Sequence, residues 1–185
     1  MAKNNYLALL RAINVGGKNI LKMDELKRIF EKMQFSDIKT YIQTGNVLFA
    51  DNEKDKIKLA KRIEKKLLDE TNNEIMVLVL TLSDIKDIIN DVPKEFGENN
   101  VKYKYDVLFL INPLKPKDIM SQIKIIEGED KIYEGKKALY VKRLVKKLTG
   151  SYIVKALNIS QNITVRNLKI TKELYKLMLE RNVEK

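Results

Sequence analysis

The sequence predicts an α+β fold made of two tandem, duplicated ferredoxin-like βαββαβ plaits with antiparallel sheets and a C-terminal helix. Three observations lead there. Apolar runs and amphipathic helical stripes follow one another in the order β-α-β-β-α-β over residues 1–80. The same order restarts near Lys104 and can be traced as far as β-α-β-β-α. The 185 residues, 44% of them hydrophobic, can fill two small cores, and only 3 Pro and 7 Gly interrupt them.

Tyr6–Ile13 is a near-continuous apolar run, as expected of a central strand covered on both faces. After a turn at Asn14–Asn19 comes a helical stripe of Met23, Leu26, Phe30 and Met33. Asp24 and Glu25 fall in its first turn, where negative charge suits the helix dipole. Ile38–Gln43 and Val47–Phe49 are short strands around Thr44-Gly45-Asn46, a hairpin turn. A lysine-rich helix follows, with Ile57, Ala60, Ile63 and Leu67 expected to face inward, and Glu74–Leu80 closes the first subdomain at residues 1–80. Residues 81–103 form a connector with a short helix at Ser83–Asn90 and a polar stretch around Pro93–Asn100. The second subdomain, 104–185, begins with a strand at Tyr105–Ile111 and a helix at Pro116–Ile126, Pro taking the permitted first position. A hairpin pairs Lys131–Tyr133 with Ala138–Val141, and a helix covers Ser151–Leu157. Thr171 is expected to cap a terminal helix with Leu174, Leu177 and Met178 inward.

Cysteine and histidine are both absent. Disulfides, zinc sites built on Cys or His, and Ser-His-Asp or Cys-His nucleophile systems are thereby excluded. Any catalysis would use Asp, Glu, Lys, Tyr, Arg, Ser, Thr, backbone amides, a carboxylate-bound hard cation or a borrowed cofactor. No catalytic residue, metal ligand or cofactor is assigned from spacing. The N-terminus lacks a signal-peptide pattern and the apolar runs are short of a membrane span, so the expected location is the cytoplasm, with no membrane partner. The net charge of +11 favours anionic partners, nucleic acid or nucleotides among them. Yet only six of the 36 basic residues are arginine. Abundant Lys beside abundant Ile and Asn is what an AT-rich genome imposes, and that explanation carries more weight than a dedicated polyanion footprint.

Topology joins two of these segments into one candidate site. In a βαββαβ plait the first two strands run the same way, with the third antiparallel between them. The turn leaving the first strand and the hairpin joining the second and third therefore emerge at one sheet edge. Asn14, Gly16, Gly17, Lys18 and Asn19 should face Gln43, Thr44, Gly45 and Asn46, with Arg11 beneath. Glycines let backbone amides approach a ligand and form an anion-binding concavity, Lys18 adds charge, and the amides add donors and acceptors. The plainer account is that the glycines supply φ > 0 and the asparagines satisfy loop backbone. The run Ala12–Asn19 approaches G-x-x-x-x-G-K-[ST], but Ala12 and Asn19 break it, and that motif belongs in a parallel sheet.

The blocks Leu9-Leu10-Arg11-Ala12-Ile13-Asn14-Val15-Gly16-Gly17-Lys18-Asn19 and Thr40-Tyr41-Ile42-Gln43-Thr44-Gly45-Asn46-Val47-Leu48-Phe49, with Met23 and Leu26 between them, resemble the bacterial family catalogued as domain of unknown function 1697. Thr164-Val165-Arg166-Asn167 resembles a third block of that family. Ala12 stands where the family pattern has Gly, Thr44 where it has Ser, and Leu168 where it has Trp. The resemblance implies a tandem ferredoxin-like fold and supports the edge site without naming an activity.

Three functions follow. The leading one is binding of a phosphate-bearing small molecule or nucleotide at Arg11, Asn14–Asn19 and Gln43–Asn46, with Arg166 and Asn167 completing the site. The alternative is RNA or single-stranded nucleic-acid binding through Lys136, Lys137, Tyr140, Lys142, Arg143, Lys146 and Lys147, or by stacking on Tyr6, Tyr41 and Phe49. The third is an enzyme acting on an anionic substrate with Lys18 or Tyr41 as acid/base.

Overall fold

The computed structural model describes residues 3–14, 20–97, 101–125, 128, 130–145 and 151–183. The elements are β1 (Asn4–Leu10), α1 (Met23–Lys32), β2 (Ser36–Tyr41), β3 (Asn46–Asp51), α2 (Lys56–Thr71), β4 (Val77–Leu80), α3 (Leu82–Asn90), β5 (Tyr103–Leu110), α4 (Pro116–Met120), β6 (Lys131–Glu134), β7 (Ala138–Leu144), α5 (Tyr152–Ile159), β8 (Ile163–Asn167) and α6 (Leu168–Val183). They build two four-stranded antiparallel sheets, ordered β2-β3-β1-β4 and β6-β7-β5-β8, so each half has the βαββαβ order the sequence predicts. The chain divides into two compact units, Met1–Ser83 with Leu177–Lys185, and Asp84–Lys176. Among the described residues no helix is long and apolar enough to cross a membrane.

In the first unit β1 is buried from Asn5 to Leu10, which its unbroken apolar run requires of a strand flanked on both sides. Its Tyr6 and Ala8 meet α1 and α2 in a core where Phe49 is central. The Phe49 ring lies 5.6 Å from Tyr6, 5.6 Å from Phe30 and 4.4 Å from Phe35. Tyr6 and Phe49 are therefore core residues and cannot stack bases, a correction to the expectation for this sheet. Helix α2 is also rotated from its expected facing. Asp55 caps it through the amides of Ile57 and Lys58, and the inward line is Leu59, Ile63 and Leu67, while Ile57 is 48% exposed. Ala60 packs against the core from the rim.

The cap of α2 sits in a small charged knot. Glu53 Oε1 accepts from the amides of Lys54 and Asp55, and Glu53 Oε2 lies 2.7 Å from Lys58 Nζ. The bond to Lys58 and these amides hold the Glu53 carboxyl at about 2, well below the ordinary 4.5.

The second unit repeats the pattern and completes it. β8 pairs antiparallel with β5 from Asp106↔Asn167 to Leu110↔Ile163, supplying the strand missing from the sequence reading. Its core gathers Leu108, Leu139, Val141 and Ile163 under Ile119 of α4 and Ile153 and Ala156 of α5. Helix α4 is one short stretch rather than reaching Ile126. Its stripe serves the core only through Ile119 and Ile123, and Ile125 is already exposed. Helix α6 begins three residues before the expected cap. Asn167 Oδ1 accepts from the Ile170 amide, whereas the Thr171 hydroxyl donates to the Asn167 carbonyl inside the first turn. Leu174 and Met178 are buried and Leu177 half-buried.

Phe49→Ala should cost about 3–5 kcal/mol, because three rings lose a shared neighbour and the cavity cannot collapse without moving both helices; urea denaturation of the full chain checks this. The Glu53 carboxyl titrates lower in the fold than in the unfolded chain, so the unfolded state binds more protons between about 2 and 4.5. Stability should rise with pH across that window, and Glu53→Gln should flatten the slope of melting temperature against pH there.

Candidate functional site

The ladder between β1 and β3 carries both turns to one edge of the first sheet. Leu9 pairs with Asn46, and at the last residue of β1 the Leu10 amide donates to the Gly45 carbonyl at 2.8 Å. The Arg11 amide then donates to the Met76 carbonyl at 2.9 Å, tying the chain to the entry of β4 before it turns. Arg11 is half-buried and Ile13 buried, so the turn is pinned from below.

Asn14 is the fastener. Its Nδ2 donates to the carbonyls of Leu21 and Gln43, both at 2.9 Å, and its Oδ1 accepts from the Leu21 amide at 2.8 Å. One side chain thus closes the loop ahead of α1 and binds it to the β2–β3 hairpin. Asn46, fully buried, does the same inside the hairpin, donating to the Tyr41 carbonyl at 3.0 Å and to Thr44 Oγ1 at 2.9 Å. The amides of Asn14 and Asn46 therefore satisfy loop backbone. Gly45 has φ +73, and a Cβ there would come within 2.8 Å of Ile13 Cδ1 and of Leu10 Cβ. Only glycine fits.

The backbone of this edge is strained. Ala12 (φ 51), Asn14 (φ 55) and Ile42 (φ 48) all lie in the left-handed region, where a Cβ meets the neighbouring carbonyl. Gln43 and Thr44 project with Ile42 as an exposed tip. So the structure brings together Arg11, Asn14, Gln43, Thr44, Gly45 and Asn46. Gly16, Gly17, Lys18 and Asn19 lie outside the described residues, as do Lys146 and Lys147.

Arg166 and Asn167 belong to the second unit and have work there. Arg166 is buried, with Nη1 donating to Thr164 Oγ1 at 2.9 Å and to the Val165 carbonyl at 2.8 Å, and burial lowers its guanidinium to about 10. Asn167 caps α6.

The basic cluster is not one cationic face. Lys137 Nζ is 3.0 Å from Asp84 and 2.7 Å from Asp87. Lys142 sits 4.4 Å over the Tyr103 ring and 3.4 Å from Glu95, and Arg143 Nε bonds Asp106 at 2.8 Å in a buried pair. Tyr140 is buried, its hydroxyl donating to the Ile88 carbonyl. Lys136 is held by its backbone amide on Asp91. Of this cluster, Lys137, Lys142 and Arg143 are thus paired with carboxylates of their own unit. Sequence spacing gives no sign of these pairings, since their partners lie 37 to 53 residues away.

Among the described residues no group of three or more carboxylates is placed to hold a metal ion. A family model described as "Protein of unknown function (DUF1697)" matches residues 3–140. Of solved structures, the chain is similar to the conserved bacterial protein SP0830 from Streptococcus pneumoniae, at 22% identity and a TM-score of 0.79, over 96% of this chain and 99% of that one. At that identity the likeness speaks for the fold alone. No curated protein matches the sequence.

Ala12→Gly relieves a left-handed residue on this edge and should raise stability by up to about 1 kcal/mol, the gain being reduced by the extra freedom of glycine in the unfolded chain. Chemical denaturation with an unchanged m-value checks it.

Proposed function

Because the chain belongs to the DUF1697 family, whose description gives no activity, we propose its function from its own geometry: it binds a phosphate-bearing small molecule or nucleotide at the edge formed by Arg11 and the two joined turns. The observation that carries this reading is the cluster of left-handed, non-glycine residues, Ala12, Asn14 and Ile42, fastened on one edge by the Asn14 side chain. Strain of this kind costs of order 1–3 kcal/mol per residue and persists where the surroundings impose it, most often at ligand clamps and switch regions.

The division of labour differs from a simple cluster of polar side chains. Asn14 and Asn46 build the frame, and their amides are spent on backbone. Recognition falls to the Arg11 guanidinium, whose planar fork matches a phosphate, and to the exposed Gln43, while Thr44 Oγ1 helps hold Asn46. The net charge of +11 draws anions toward the protein without selecting among them.

A thermal-shift screen of nucleotides and phosphorylated metabolites against the full chain tests the proposal. A true ligand at a hundred times its dissociation constant should add about 2.7 kcal/mol of stability. Arg11→Ala should weaken that ligand about tenfold or more, the loss of a charge-assisted contact. The proposal fails if no compound shifts the wild type, or if every active compound shifts the variant equally.

A further inference from the structure

The second unit contains a cleft of about 450 Å³ that the edge site does not use. Its floor is the end of the sheet where β5, β7 and β8 lie side by side, and its wall is the first two turns of α6. At the base is Arg143. The residue is 9% exposed, and its one hydrogen bond among the described residues runs from Nε to Asp106 Oδ2 at 2.8 Å. A guanidinium carries five N–H donors. Arg143 lines the cleft, and its Nη groups have no hydrogen-bond partner among the described residues. They are reached by solvent rather than sealed in the interior, so they are free to meet a ligand in the cleft.

The surroundings are rich in positive charge. Lys104 stands directly opposite Arg143 in the β5–β7 register, and like charges in that position repel. Lys169 and Lys172 approach from α6, on the same wall as Glu173. Among the described residues the lining sets Lys104, Arg143, Lys169 and Lys172 beside Asp106 and Glu173, and Asp106 is engaged by Arg143 Nε. The cleft is of a size that ordinarily takes a small molecule.

We propose that this cleft binds a compact dianion of the phosphomonoester class, with the outer edge of Arg143 taking two of its oxygens and Lys104 and Lys169 neutralising the rest. The planar fork supplies direction and the lysines supply charge. Asp106 is the positioning residue: it holds Nε and so turns both Nη groups toward the cleft. This site is independent of the Arg11 edge and lies wholly in the other unit.

The test is an NMR titration of the isotope-labelled full chain with inorganic phosphate, ionic strength being held constant with chloride. Saturable shifts are expected at the amides of Lys104, Asp106, Asn167 and Lys169 and at the Arg143 Nε–H, with a dissociation constant of about 1 mM. Arg143→Lys keeps a cation beside Asp106 but loses the fork, and should weaken binding about tenfold. Lys104→Ala and Lys169→Ala change exposed residues, should leave the melting temperature unaltered, and should each weaken binding about two- to fivefold. Because the Arg11 edge is proposed to take phosphate as well, Arg11→Ala is read only at the cleft, where the shifts of Lys104, Asp106, Asn167 and Lys169 should keep the same dissociation constant. Shifts at the cleft residues that are absent, that do not saturate, or that survive both lysine variants at full strength would overturn the assignment, whether or not Arg143→Lys folds, whereas shifts confined to the Arg11 edge would support that site alone.

Discussion

The hydrogen bonding of β1 runs to the last residue of the strand. The ladder with β3 extends past Leu9↔Asn46 to the bond between the Leu10 amide and the Gly45 carbonyl, and this contact leaves no room for a side chain at position 45. From it follow the close approach of the two turns, the left-handed turn of the chain at Ala12 and Asn14, and the reach of the Asn14 amide across to Gln43. The antiparallel pairing of β1 and β3 thus sets more than the sheet. It decides which loops are neighbours, and with them where polar side chains of distant sequence position can act together.

Much of this was legible before any coordinates. The run Tyr6–Ile13 could hardly be anything but a covered central strand, and the crossover rules place its exit beside the hairpin. Other features depended on choices that sequence leaves nearly degenerate. Ile57 reads as an inward position of α2 alongside Ile63 and Leu67, but in the helix that Asp55 caps the first inward position is Leu59. Thr171 reads as the cap of α6, but β8 runs directly into the helix and gives that role to Asn167. β8 itself carries Arg166 in its middle, and a strand with a buried arginine does not look apolar until the arginine's partners are known.

The candidate site was legible as a place and not as a mechanism. Asn14 and Asn46 could donate to a ligand or to backbone with equal chemical ease, and only the fold places carbonyl oxygens within reach of both. The basic surface shows the same limit from the other side. Its positive residues look like an excess along the chain, yet in space Lys137, Lys142 and Arg143 answer Asp84, Asp87, Glu95 and Asp106. Local charge density in sequence overstates the field wherever a sheet folds acidic residues back on it.

The placement of Gly45 also separates what can vary on this edge from what cannot. Gly45 and Asn46 are buried and locked to β1 and to the hairpin's own backbone, while Gln43 and Thr44 stand in solvent beside Ile42. Exchanging the side chain of Gln43 alters the outward chemistry of the loop without touching a core contact, whereas Thr44 can be exchanged only for a residue that still accepts from the buried Asn46 amide. The hairpin therefore works as a socket: a fixed base, carrying a short tip whose specificity selection or a protein engineer can rewrite while the fold beneath stays the same.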